Sequence, residues 1–105
     1  LSGIAPGADG NLWFAEVYAG KIGRVTPSGT LSEFDVPNDY PQDITRGPDG
    51  NVWFTLQASI GRITPAGSIT AFPVPAPPWG ITTGPDGNIW FTEWGVGRIG
   101  RFLTP

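Results

Sequence analysis

The sequence predicts an all-β fold made of β-propeller blades, and three observations carry that expectation. The phrase Gly-Pro-Asp-Gly-Asn-x-Trp-Phe occurs at residues 47–54 and 84–91, and the variant Gly7-Ala8-Asp9-Gly10-Asn11-Leu12-Trp13-Phe14 precedes both. Self-similarity at roughly 40 residues marks stacked supersecondary units. Each phrase also ends in three large apolar residues: Leu12-Trp13-Phe14, Val52-Trp53-Phe54 and Ile89-Trp90-Phe91. Neighbours along a strand point to opposite faces, so these strands are covered on both sides. Finally, no stretch keeps a helical period over a useful length. Four-stranded sheets covered on both faces and repeated at this interval are propeller blades. A two-layer sandwich is the alternative, and the near-identical repeats argue against it.

Each unit reads as four strands. The innermost covers residues 2–5, 42–45 and 79–82. The pairs Asp9-Gly10, Asp49-Gly50 and Asp86-Gly87 then turn the chain, with Asp-Gly predicting a tight type I′ hairpin. The second strand covers residues 12–16, 52–56 and 89–93. The third covers 22–25, 60–63 and 99–102, and reads Ile-Gly-Arg followed by an apolar residue. Thr-Pro closes it at Thr26-Pro27, Thr64-Pro65 and Thr104-Pro105, and Ser28-Gly29 and Ala66-Gly67 supply the next turn. A fourth strand follows at 31–36 and 69–74. Pro37, Pro73 and Pro75 have no N–H to donate, which places this strand at a sheet edge. The chain is thus one array, residues 1–105, with blades at 1–38, 39–75 and 76–105. The third lacks its outer strand, leaving about 2.75 blades.

Composition narrows the chemistry. Gly and Pro number 16 and 12 among 105 residues, but five Trp, six Phe and a 39% hydrophobic content supply a packed core. A net charge of −3 without a basic cluster argues against nucleic acid or an anionic membrane as partner. No apolar run reaches the roughly 18 residues of a membrane span. Cysteine, histidine and methionine are absent. There is therefore no disulfide, no thiolate nucleophile, no Cys/His metal centre and no imidazole for proton transfer near neutral pH. The chain begins at Leu1 and reads as a processed or excised piece. Thiol-free chains rich in Gly, Pro and Trp fit a secreted or extracellular setting.

Aromatic residues outside the strand interiors are the candidate ligand contacts. Trp79 stands beside Pro77-Pro78 at the start of an inner strand, which lines a propeller's central channel or its mouth. Trp94, Tyr18 and Tyr40 lie in loops. Such rings beside polar groups suit stacking on sugars or apolar ligands. A small-ligand or lectin-like site would gather Trp79, Gln42, Asp43, Tyr40 and Trp94; the alternative is that the rings fill gaps between blades. Trp13, Phe14, Trp53, Phe54, Trp90 and Phe91 are expected in the core or in blade interfaces, with the three Trp in the core. The Asp/Asn pairs of the three Asp-Gly-Asn turns resemble a Ca²⁺ loop in spacing only, lacking the further acidic ligands. Turn formation explains them.

Four motifs in one order resemble the repeat of the virginiamycin B (streptogramin B) lyase-like propellers, related in shape to NHL-repeat propellers. They are Gly-Pro-Asp-Gly-Asn-x-Trp-Phe-Thr-Glu, Ile-Gly-Arg-Ile-Thr-Pro-x-Gly, Phe-Pro-x-Pro and Pro-x-Gly-Ile-Thr. Only residues 18–21 and 38–41 match weakly. The resemblance implies a seven-bladed single-chain propeller, of which this chain matches under half. It also implies a Mg²⁺-dependent lyase that opens the cyclic ester of streptogramin B antibiotics by elimination. A catalytic His in that family precedes the Gly-Ile of an inner strand; the matching positions here are Ser2, Gln42 and Trp79. The acidic residue two positions earlier corresponds to Tyr40 and Pro77, and the metal-associated Glu to Glu16 and Glu93, with Leu56 between them. Those two carboxylates have a structural alternative: pairing with an Ile-Gly-Arg residue such as Arg24, Arg62 or Arg101, or bonding backbone amides of a neighbouring loop.

Two outer faces of a three-blade wedge carry apolar rows, which demand company. Other copies could close a ring, with two giving about six blades and three about nine. The missing blades could instead belong to a longer chain, or copies could run on as a filament. An isolated monomer is the expectation rejected. The role that follows is a non-catalytic scaffold and interaction module, with Mg²⁺ relevant only if the lyase alternative holds.

Overall fold

The computed structural model describes residues 3–93, 95 and 97–103. It holds eleven strands among those residues: β1 (Ile4–Pro6), β2 (Leu12–Glu16), β3 (Lys21–Val25), β4 (Leu31–Asp35), β5 (Ile44–Arg46), β6 (Val52–Thr55), β7 (Ser59–Ile63), β8 (Ile69–Pro73), β9 (Pro78–Thr83), β10 (Ile89–Glu93) and β11 (Arg98–Phe102). They form three antiparallel sheets in the orders β1-β2-β3-β4, β5-β6-β7-β8 and β9-β10-β11. The all-β blade array expected from the repeats is what the chain adopts. Pro73 sits in the edge strand β8, where its missing N–H breaks no ladder.

The Trp-Phe doublet builds the junctions. Trp13 pairs in register with Arg24 while Phe14 pairs with Gly23, so Trp and Arg share one face of the blade and Phe and Gly the other. Blade 1 presents Trp13 and Ile22 to Val52, Phe54 and Ile63 of blade 2. Blade 2 turns its opposite face, with Trp53 and Ile60, onto Ile81, Ile89 and Phe91 of blade 3. Each core therefore lies between sheets.

That arrangement explains two glycines of the repeat. A Cβ on Gly23, Gly61 or Gly100 would enter the ring of Phe14, Phe54 or Phe91, which lies across the Ile-Gly-Arg strand. A Cβ on Gly7, Gly47 or Gly84 would strike the indole of Trp13, Trp53 or Trp90.

Three expectations are corrected. The Asp-Gly turns are not type I′, because only the glycines, Gly10 (φ 82°), Gly50 (φ 84°) and Gly87 (φ 79°), take positive φ. Gly10 N–H donates to Gly7 O at 3.3 Å and Gly7 N–H to Asn11 O at 2.9 Å, a hairpin whose last turn residue is left-handed. The inner strands β1 and β5 start two residues later than expected. Gln42 N–H donates to Thr55 O and Thr55 N–H to Asp43 O, both at 3.0 Å, so two residues oppose one and the ladder bulges. Trp90 is half-buried rather than core, because it lies on the outer face of blade 3, whereas Trp13 and Trp53 lie between sheets.

Candidate functional site

The turn carboxylates resolve as framework. Asp49 Oδ1 accepts from the Asn51 backbone N–H at 3.1 Å and from Trp53 Nε1 at 3.0 Å, and its Oδ2 accepts from Asn51 Nδ2 at 3.1 Å. Asp9 and Asp86 repeat the set with Trp13 and Trp90. The Ile-Gly-Arg arginines complete it: Arg24, Arg62 and Arg101 lie 3.9, 3.7 and 3.5 Å from Asp9, Asp49 and Asp86, and 5.2, 5.6 and 5.4 Å from the indole centroids. One Asp thus caps a turn, anchors an indole and orients a guanidinium.

The expected pairing of Glu16 and Glu93 with these arginines does not form. Register is the reason: Trp13 opposes Arg24 whereas Glu16 opposes Lys21, which puts Glu16 and Arg24 on opposite faces. Glu93 lies between blades, its side chain 6% exposed, with Arg98 Nη2 3.7 Å away and Oε2 without a hydrogen-bond partner. Glu16 Oε1 is likewise buried and unpartnered, on the outer face of blade 1. Burial raises its pKa, and the adjacent Glu33 carboxyl adds to the rise while Lys21 opposes it.

A divalent metal does not fit these two glutamates. They lie on equivalent faces of blades 1 and 3 with blade 2 between those blades, one already has a cationic neighbour, and among the described residues no three acidic side chains converge.

The carboxyls make a testable pH profile. Hydrogen bonds from Trp90 and Asn88 hold Asp86 down to about 2. For Asp9 and Asp49 burial pulls upward, but the bonds from Trp13 or Trp53 and from Asn11 or Asn51 outweigh it. Stability from lowered carboxyls is present above the ordinary value of 3.8 and is lost as pH falls toward about 2. Glu16 runs the other way: its contribution is full below 4.5 and is lost as pH rises through its raised folded value. The thermal midpoint should therefore peak near pH 4 to 5, roughly between these windows. Glu16→Gln should flatten the neutral side only. A midpoint that is unchanged between pH 4 and 2 would contradict the turn network.

Of the predicted ligand residues, the structure gathers three. Gln42, Asp43 and Trp79 line a recess of about 200 Å³ with Gly80. A neighbouring recess of about 300 Å³ is lined by Gln42, Leu56, Gln57, Pro77, Pro78 and Trp79. Trp79 is 55% exposed, so its ring is accessible beside two prolines and two amides. The bulges aim these side chains: β9 slips register between Phe91 and Glu93, across from Trp79 and Gly80. Tyr40, 47% exposed, lines neither recess, Tyr18 is 94% exposed, and Trp94 and Ser2 fall outside the described residues.

Asp43 is held rather than poised. Its Oδ2 accepts from Ile81 N–H at 2.9 Å, and Thr55 Oγ1 accepts from Asp43 N–H while donating to Trp79 O, both at 3.0 Å. These bonds tie blade 2 to blade 3 at the recess floor. Sequence reasoning missed Thr55 and Gln57. The signal was present: the second strands read Thr55 and Thr92 where blade 1 has Ala15. The recess thus offers an aromatic ring, prolines, amides and the Asp43 carboxylate, with no imidazole among them.

A sequence model of the virginiamycin B lyase family matches residues 2–105. A virginiamycin B lyase from Nocardia farcinica is 42% identical over 52 residues, 48% of this chain and 18% of that protein. Virginiamycin B lyase from Staphylococcus aureus superposes with a TM-score of 0.85 at 39% identity, over 98% of this chain and 41% of that one. A catalytically inactive histidine-to-alanine variant of the Staphylococcus aureus enzyme, solved with quinupristin, gives 0.86 at 39% identity over 99% and 41%. The chain thus spans well under half the length of these relatives. A gluconolactonase from Xanthomonas campestris, 16% identical with a TM-score of 0.73, shares the fold alone. With the repeat, the blade junctions and the family match in agreement, the chain belongs to the virginiamycin B lyase family.

Proposed function

We propose that this array is a non-catalytic sector of a virginiamycin B lyase-like propeller, serving as framework and presenting the Gln42–Trp79 recess for binding. One observation carries the reading. Gln42 and Trp79, the positions matching the family's catalytic histidine, share one recess and neither supplies an imidazole. In the Staphylococcus aureus relative, replacing one histidine by alanine accompanies a catalytically inactive protein, and this array has no histidine. Ester-ring opening by elimination needs a base at the reacting carbon. The chain incubated with a streptogramin B antibiotic and Mg²⁺ should leave the intact antibiotic's mass unchanged; ring-opened product would overturn the proposal.

The exposed indole of Trp79 favours a small-ligand role for the same recess. Titration with an oligosaccharide panel should give a saturable fluorescence change that disappears in Trp79→Ala. That variant should stay within about 0.5 kcal/mol of the parent in stability, since the ring covers no core. A panel without any response, or a response kept by the variant, removes the ligand role.

A further inference from the structure

The backbone donors around the Gln42–Trp79 recess are engaged within the protein. Gln42 N–H donates to Thr55 O and Asp43 N–H to Thr55 Oγ1, both at 3.0 Å. Gly80 N–H donates to Thr92 Oγ1 and Ile81 N–H to Asp43 Oδ2, both at 2.9 Å. Gln57 N–H donates to Asp39 Oδ1 at 3.1 Å. Pro77 and Pro78 have no N–H to offer. No Lys or Arg lines either part of the recess. An anionic ligand would therefore meet neither a cation nor a nest of free amides.

Acceptors are plentiful by contrast. Asp43 keeps Oδ1, which takes no donor among the described residues. The absent Cβ of Gly3, which would stand 2.7 Å from Oδ1, leaves that oxygen room. Asp39 sets a second carboxylate behind Gln57. The exposed ring of Trp79 adds the negative face of its π system, within a wall made by Leu56, Pro77 and Pro78. The net charge of −3 has the same sign. Both walls of the recess come from blades 2 and 3, within the chain.

We infer that the recess binds an amino sugar, a pyranose whose apolar face stacks on Trp79 while its ammonium group meets the Asp43 carboxylate. An ammonium group brings three donors and no acceptor, which matches a wall rich in acceptors. The Gln42 and Gln57 side-chain amides both donate and accept, and so serve the remaining hydroxyls. A uronic acid would instead set its carboxylate against Asp43, and a neutral sugar would leave that charge without a counter-ion. The inference rests on the ligand role proposed for this recess and narrows it to one chemical class.

Oligomers of glucosamine, N-acetylglucosamine and glucose, matched in linkage and length, differ only in the substituent at the second ring carbon and so isolate the ammonium group. In tryptophan-fluorescence titrations at about pH 5, where the amine is protonated, the glucosamine oligomer should bind about tenfold tighter than either of the others. Raising NaCl from about 0.05 M to about 0.5 M should shrink that advantage several-fold. Asp43→Asn keeps an acceptor for Ile81 N–H and should lower the affinity for glucosamine to that for the other two. Equal affinity for all three oligomers would overturn the inference and leave the ligand role standing, whereas no response to any of them would remove both. An advantage that survives Asp43→Asn would also overturn it. If that variant loses its near-ultraviolet tryptophan signal, the salt series of the parent decides: an advantage indifferent to salt excludes the ammonium–carboxylate contact.

Discussion

Trp53→Ala should cost the fold about 3–5 kcal/mol, the range for emptying a buried tryptophan site. Its ring is fully buried. It stacks on Phe72 at 5.5 Å and approaches Phe102 of the next blade at 5.6 Å. Alanine would leave a void between blades 2 and 3 that two flat sheets cannot close, and Asp49 Oδ1 would lose its indole donor. With total stability on the order of 5–15 kcal/mol, this one change should place much of the population in the unfolded state. Trp90→Ala removes the same side chain from the same motif on the outer face of blade 3, where it is half-buried, and should cost clearly less. Urea titrations followed by circular dichroism, at matched slopes, would check the pair. Similar losses for both would mean that inter-blade packing does not set the role of the tryptophan.

Gly61→Ala should rank second, at about 3 kcal/mol, the upper end for overpacking a core. The new methyl would occupy the space of the Phe54 ring, which is itself fully buried between blades 1 and 2 and has no route of escape. Gly23→Ala creates the same collision with Phe14, but Phe14 lies half-buried on an outer face and can swing aside. Its cost should fall to about 1 kcal/mol. Gly61 and Gly23 both occupy the middle of Ile-Gly-Arg, so intrinsic strand propensity cancels in the comparison. Thermal midpoints that drop equally in the two variants would rule out the ring collision as the reason for the glycine.

Much of this was legible in the residues. Leu12-Trp13-Phe14 and its two repeats put bulk on both faces of a strand, and that pattern alone demands sheets stacked face to face. The edge position of the proline-bearing β8 followed from a missing N–H. Gln42, Asp43 and Trp79 were legible as neighbours because equivalent positions of adjacent blades meet at the inner-strand ends. Other features were not legible, for reasons that concern register. The Asp-Gly pair has the composition of a two-residue turn, yet Gly7 N–H reaches Asn11 O and leaves only the glycine left-handed. Glu16 and Arg24 look like partners in order along the chain, but hairpin pairing sets them on opposite faces.

The unit and its strand order follow from the residues alone, because these depend on local periodicity and on residues that allow or forbid a backbone shape. Which Trp is core and which is surface, why Ile-Gly-Arg needs its glycine, and the Thr55 tie between Asp43 and Trp79 emerge from the packing of sheet on sheet. Those facts depend on what lies across a junction, and the same eight-residue phrase meets a neighbouring sheet in one blade and solvent in another.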